Sequence, residues 1–140
     1  MKNFFFIFLT LYVSSTTFAC IIWTPGFIVK IQNLIPNSII QVHCKSKDDD
    51  IGDKWLTYNE EFHFKFCENE LSGTLFFCHW YWDSKEQVFD VFNNTMQFIC
   101  NIEYGDNNPC NWAAKNDGLY FYDFTKKVWG KQYEWKPRSI

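Results

Sequence analysis

The chain has 140 residues, 47% of them hydrophobic and 21% aromatic, with a formal net charge of −3. That length holds one domain rather than two, and mild acidity without a dense lysine–arginine cluster excludes the usual nucleic-acid and anionic-membrane binders, which need a concentrated basic patch. A helix needs about 20 apolar residues to span a bilayer; the apolar run at Phe4 to Val13 has ten. That run follows the positive start Met1-Lys2-Asn3 and leads into Ser14 to Ala19, with Thr17 and Ala19 at the −3 and −1 positions of a peptidase cut. This order reads as a secretory signal peptide over residues 1–19. The expected product is a single secreted domain of residues 20–140, with no membrane insertion after cleavage.

Beyond the leader, apolar residues recur with period two, the signature of strands. Phe27 to Asn33 and Ser38 to Cys44 are β-branched runs separated by the turn signal Pro36-Asn37. Glu61 to Cys67 alternates Phe62, Phe64 and Phe66 with His63, Lys65 and Cys67. Thr74 to Trp82 is apolar on both faces and reads as a central strand, turned by Asp83-Ser84-Lys85 into a hairpin with Gln87 to Asn93. Asp117-Gly118 introduces Leu119 to Tyr122, and Lys127 to Trp129 follows another polar turn. Eight to ten short strands at spacings of about 8–14 residues, with no amphipathic helix, define an all-β fold. Two antiparallel sheets packed face to face are the economical solution, and a closed barrel is the alternative.

Six cysteines follow the leader: Cys20, Cys44, Cys67, Cys78, Cys100 and Cys110. In an exported chain an even number reads as disulfides. Structural zinc would want closely spaced pairs, and the nearest cysteines here are ten apart. No metal or cofactor is expected. With every cysteine paired, no thiolate remains for catalysis.

His43, His63 and His79 invite an acid–base reading. A hydrolase or nuclease would need histidines or carboxylates converging in a cleft with a nucleophile or cation. Linear order shows no such convergence, no nucleophile elbow and no phosphate-binding glycine loop, so no catalytic residue is assigned. The polar stretch Lys45-Ser46-Lys47-Asp48-Asp49-Asp50-Ile51-Gly52 lacks the alternating ligands and closing Glu of a calcium loop. It reads as a solvated connection whose charges blunt sheet edges, or as a contact for a partner. Asn93-Asn94-Thr95 is an N-glycosylation acceptor at the end of a strand, making Asn93 the expected glycan site.

The stretch Val42-His43-Cys44-Lys45-Ser46-Lys47-Asp48-Asp49-Asp50-Ile51-Gly52 resembles the signature of the plant self-incompatibility protein family, the S-protein homologues. The similarity continues through Thr74 to Trp80, Phe89-Asp90-Val91-Phe92, Cys100, Cys110-Asn111-Trp112 and Asp117 to Tyr120. The resemblance implies a small secreted β-sandwich without enzymatic activity that acts as an extracellular ligand. It also implies that Cys44, Cys78, Cys100 and Cys110 form two bridges, for which the expected pairing is Cys78–Cys100 with Cys44–Cys110. Parity leaves Cys20 for Cys67.

The expected partner is a cell-surface receptor protein, met by a monomeric ligand through polar connections at one end of the sandwich. The candidate contact residues are Lys45, Lys47, Asp48, Asp49 and Asp50 in the signature, with Asp106, Asn107 and Asn108 in the Gly105–Pro109 loop. The signature segment has a second reading, as a structural turn held by side-chain-to-backbone hydrogen bonds. Two further classes stay in view. A carbohydrate-binding or defence protein would show exposed flat aromatic residues, and a nuclease would bring two histidines together near a cation.

Overall fold

A computed structural model describes Cys20 and residues 24–68, 73–100 and 107–139. The expected leader, residues 1–19, lies outside the described residues, as do Gly105 and Asp106. Among the described residues, ten strands run β1 (Gly26–Asn33), β2 (Ile39–Lys45), β3 (Asp50–Thr57), β4 (Glu61–Cys67), β5 (Phe76–Trp82), β6 (Lys85–Phe92), β7 (Asn108–Lys115), β8 (Gly118–Asp123), β9 (Val128–Tyr133) and β10 (Lys136–Pro137). One 3-10 turn among the described residues, Met96–Phe98, follows β6. The first sheet has the order β4-β1-β7-β8-β9 and the second β10-β6-β5-β2-β3. The protein is therefore a two-sheet β-sandwich.

Period-two alternation decides which side chains meet between the sheets. Phe64 and Phe66 point inward from β4 while His63 and Lys65 point to solvent. Phe66 crosses the gap to Phe76 and Phe92 of the second sheet, each at 4.7 Å between ring centroids. Phe27 reaches Phe92 at 4.7 Å, and Trp112 meets Phe89 at 4.9 Å. Tilted and edge-on ring pairs of this kind add about 0.5–1.5 kcal/mol each beyond the area they bury.

Two polar ties also cross between the sheets. Trp112 Nε1 donates to the Val91 carbonyl at 3.0 Å. Fully buried Asn33 donates through Nδ2 to the Leu56 carbonyl at 2.9 Å and accepts the Ile35 N–H through Oδ1 at 2.9 Å. Removing a partner from such a buried set costs about 1–3 kcal/mol.

β5 occupies the middle of the second sheet, as its double-faced hydrophobicity indicates, and turns at Asp83-Ser84 into β6. Three features depart from the sequence reading. β1 and β7 pair in parallel, so the first sheet is not wholly antiparallel. β3 begins inside the stretch read as a loop: Asp50 and Gly52 pair with Lys45 and Cys44, leaving residues 46–49 as the connection. β3 lies at a sheet edge with only Leu56 buried, so it lacks the apolar alternation that marks a half-buried strand.

The third departure is the disulfide pattern. Cys44 joins Cys78 and Cys100 joins Cys110, replacing the expected Cys44–Cys110 and Cys78–Cys100 pairs; Cys20 joins Cys67. Strand register explains the correction, because Cys44 and Cys78 face one another on neighbouring strands. Gly118 opens β8 at φ +154° with the Tyr133 carbonyl oxygen 2.3 Å from where a Cβ would stand, so any side chain there meets backbone.

Candidate recognition surface

The family-like signature folds as a hairpin, and its residues divide into those that brace the turn and those that project. Ile40, Val42 and Cys44 of β2 point into the core, which turns Gln41, His43 and Lys45 outward. His43 Nε2 lies 2.6 Å from Asp50 Oδ1 and His43 Nδ1 lies 3.0 Å from Asp53 Oδ1. Gln41 adds a bond to Asp53 at 3.1 Å. Asp50 Oδ1 also accepts the Gly52 N–H at 2.8 Å, and this bond, followed by the one from His43, holds the Asp50 carboxyl below its ordinary range. Gly52 sits at φ +84°, a conformation that side-chain-bearing residues rarely adopt.

The connection itself is closed by Ser46, whose N–H donates to the Asp49 carbonyl at 2.7 Å and whose Oγ accepts the Asp49 N–H at 3.1 Å. Lys47, Asp48 and Asp49 project from this closed turn as exposed side chains. They border a depression of about 650 Å³ completed by Phe66, Cys67 and Gly73 to Phe77. Among the described residues, no group of three or more His, Cys, Asp or Glu side chains is placed to hold a metal ion.

Asn107 is exposed at the same end, since β7 starts beside the start of β1, which pairs with Cys67. Asn108 is a correction. It is 3% exposed and donates through Nδ2 to the Gly26 carbonyl at 2.8 Å, fastening β7 to β1 rather than offering a contact. Asp106 lies outside the described residues. The Cys44–Cys78 bridge does not hold this segment against the signature; β7 is anchored instead through Cys100–Cys110.

Asn93 emerges at this end too, directly after Phe92, which pairs with Phe76. Its Oδ1 accepts the N–H groups of Thr95 and Met96, both at 3.0 Å, starting the 3-10 turn. The neighbouring Asn94 side chain lies against Gly73.

The outer face of the second sheet brings two histidines together. His43 and His79 are register partners on β2 and β5. His79 Nε2 bonds Glu86 Oε2 at 3.0 Å, its ring stacks on Tyr81 at 4.1 Å, and the Arg138 guanidinium lies 4.8 Å from the Tyr81 centroid. Lys45 and Arg138 line the same depression, about 550 Å³ in volume. The juxtaposition that a nuclease reading requires is thus present, but both His43 nitrogens and His79 Nε2 are committed to carboxylates. Glu86 is drawn down to about 2, mainly by the backbone N–H and hydroxyl of Ser139 and then by His79. The cluster therefore fastens the C-terminal segment across the sheet. His63 stands apart, exposed on β4 opposite Lys30.

Sequence reading missed Asp53, Tyr81, Glu86 and Arg138, because pairing across strands is set by register. It also missed Trp55, 61% exposed on edge strand β3 among charged neighbours. A closed core carrying a pinned polar turn at one end and side-chain clusters on its outer faces defines a disulfide-braced β-sandwich.

Comparison with known proteins gives that class a family. The model for plant self-incompatibility protein S1 matches residues 28–135, and the chain belongs to this family of S-protein homologues. It is 39% identical over 92 residues to S-protein homolog 5 of Arabidopsis thaliana, covering 65% of this chain and 66% of the relative. It is 28% identical over 114 residues to S-protein homolog 3 of the same plant, covering 81% and 75%. With S-protein homolog 74, also of Arabidopsis thaliana, the 37% identity covers 59% of this chain and 52% of the relative. The matched part thus spans from about half to three quarters of these relatives' length. A solved self-incompatibility protein homologue, described as one of a widespread family of small, highly stable, secreted plant proteins, superposes with a TM-score of 0.58. At 16% identity over 81% of this chain and 95% of that one, it shows the shared fold.

Proposed function

We propose that this protein is exported after removal of residues 1–19 and acts as a monomeric, non-enzymatic extracellular ligand for a cell-surface receptor protein. The observation that carries the reading is the exposed set Lys47, Asp48 and Asp49 on a turn whose backbone is closed by Ser46 and braced by the His43–Asp50 contact. Such a turn holds its projecting charges in fixed positions, which lowers the ordering cost of binding. Membership in a family of small secreted proteins supports export. The Cys20–Cys67 bridge supports a mature chain that retains Cys20.

The test is photo-crosslinking of the purified mature protein to intact plant cells, beside the Lys47→Gln/Asp48→Asn/Asp49→Asn variant. Saturable capture of one membrane protein, lost in the variant at unchanged melting temperature, is the expected result. Nuclease or glycosidase turnover that vanishes with His79→Asn overturns the non-enzymatic reading.

A further inference from the structure

The outer face of the first sheet carries a chemistry separate from the end loops. Register places His63, Lys30 and Asn111 side by side across β4, β1 and β7. Trp112 pairs with Phe121, which puts Asn111 beside Tyr122, and Tyr122 pairs with Trp129. One transverse row therefore crosses all five strands, a span of about 19 Å at roughly 4.8 Å per strand. Lys65 and Lys115 flank it on the same face, and the Lys115 ammonium lies 5.9 Å from the Trp129 ring centroid. The Tyr122 and Trp129 rings meet edge to face at 5.2 Å.

Charge and hydrogen bonding distinguish this face. Among the described residues, none of Lys30, Lys65 and Lys115 lies within ion-pair distance of a carboxylate, and the Lys115 ammonium also lies 4.5 Å from the Tyr120 ring centroid. Glu61, outward on β4 beyond His63, and Asp117 and Glu134, both beside Lys131, border the row, so its basic character is confined to Lys30, Lys65 and Lys115. In the middle of the row, Asn111 Oδ1 is a buried acceptor without a hydrogen-bond partner.

We infer that this face binds an acidic oligosaccharide, a linear chain of uronate residues laid across the strands from Lys65 and Lys30 toward Trp129. The lysines meet carboxylates, and Tyr122 and Trp129 offer aromatic surface to the C–H faces of the sugar rings. An extended peptide adds to sheet edges through main-chain bonds, whereas the three inner strands of this sheet are paired on both sides. Three lysines spread over about 20 Å also match a sparsely charged sugar chain better than a nucleic acid, with one phosphate per roughly 1.7 Å of duplex. This site is independent of receptor contact at the end loops.

The test uses the mature, disulfide-bonded protein, titrated by calorimetry with a linear oligogalacturonate, its methyl-esterified counterpart and polyglutamate. Binding to the oligogalacturonate should be saturable and should weaken as salt rises. It should fall at least about tenfold, equivalent to about 1.4 kcal/mol, with the ester, with Lys30→Gln/Lys65→Gln/Lys115→Gln and with Trp129→Ala. Asn111→Asp, which places a carboxylate in the row, should weaken it as well and serves if the Trp129 variant does not fold. Lys45→Gln/Arg138→Gln, on the other sheet, should leave it unchanged. Absence of oligogalacturonate binding, equal affinity for polyglutamate, or loss in the Lys45/Arg138 variant instead of the lysine triple overturns the assignment.

Discussion

Cys44 and Cys78 face each other on adjacent strands with Cα atoms 4.0 Å apart, so their bridge lies within the second sheet rather than between sheets. It fixes β2 against β5 at the residue next to the His43–His79 pair. Peptide mapping of secreted protein should recover Cys44–Cys78, Cys100–Cys110 and Cys20–Cys67, with no free thiol. In the chain-entropy account, closing the 34-residue separation contributes about 4 kcal/mol and the 10-residue separation about 3 kcal/mol. Replacing Cys44 and Cys78 together by Ala should therefore lower denaturant stability more than replacing Cys100 and Cys110, and the reverse order counts against this pairing.

The signature should separate into scaffold and contact by single substitutions. Asp50→Asn weakens the bonds to His43 and Gly52, and should lower the melting temperature. Asp48→Asn and Asp49→Asn remove exposed charges and should leave it nearly unchanged. Equal thermal losses from all three would show that the whole stretch is scaffold.

Glu86 makes stability depend on acid. Its native carboxyl titrates at about 2 against an ordinary 4.5. The unfolded chain therefore takes up the proton first, and the associated stability is present above about pH 4.5 and lost as pH falls through about 2. Glu86→Gln should flatten that part of the stability profile and loosen Ser139, read as faster amide exchange in the last residues. A profile identical to that of the unsubstituted protein would remove Glu86 as the anchor.

Asn93 should carry a glycan in plant-secreted protein, seen as a mass decrease after enzymatic deglycosylation. Thr95→Ala abolishes the acceptor while keeping the Asn93 bonds to the backbone of the 3-10 turn. Because Asn93 shares an end with Lys47 to Asp49, that variant should bind the receptor at least as well as the glycosylated form. No mass change on deglycosylation of the unsubstituted protein shows that the site is skipped.

Much of the core was legible in the chain. The alternation of Phe62, Phe64 and Phe66 with His63 and Lys65 assigns β4 and its inward face, and the double-faced run at Phe76 to Trp82 places β5 at a sheet centre. Edge strand β3 was hidden because a strand with one buried side chain has little periodic signal. β7 was hidden because it opens on Asn108 and Pro109, residues that mark turns elsewhere. Asn33 and Asn108 gave no sign of burial, since a buried amide is recognised only by the partner that satisfies it.

The sequence by itself determined the strand-rich class, the inward and outward residues of the strongest strands, the oxidised cysteines and the likeness to a family. These are local properties, carried by period-two patterning and by residues close together in the chain. Tertiary structure decided the rest: which cysteines pair, that β1 and β7 run parallel, that His43 meets Asp53 and His79, and that separated lysines share one face with Tyr122 and Trp129. Each depends on strand order and register, and a shift of one residue turns every side chain of a strand to the opposite face.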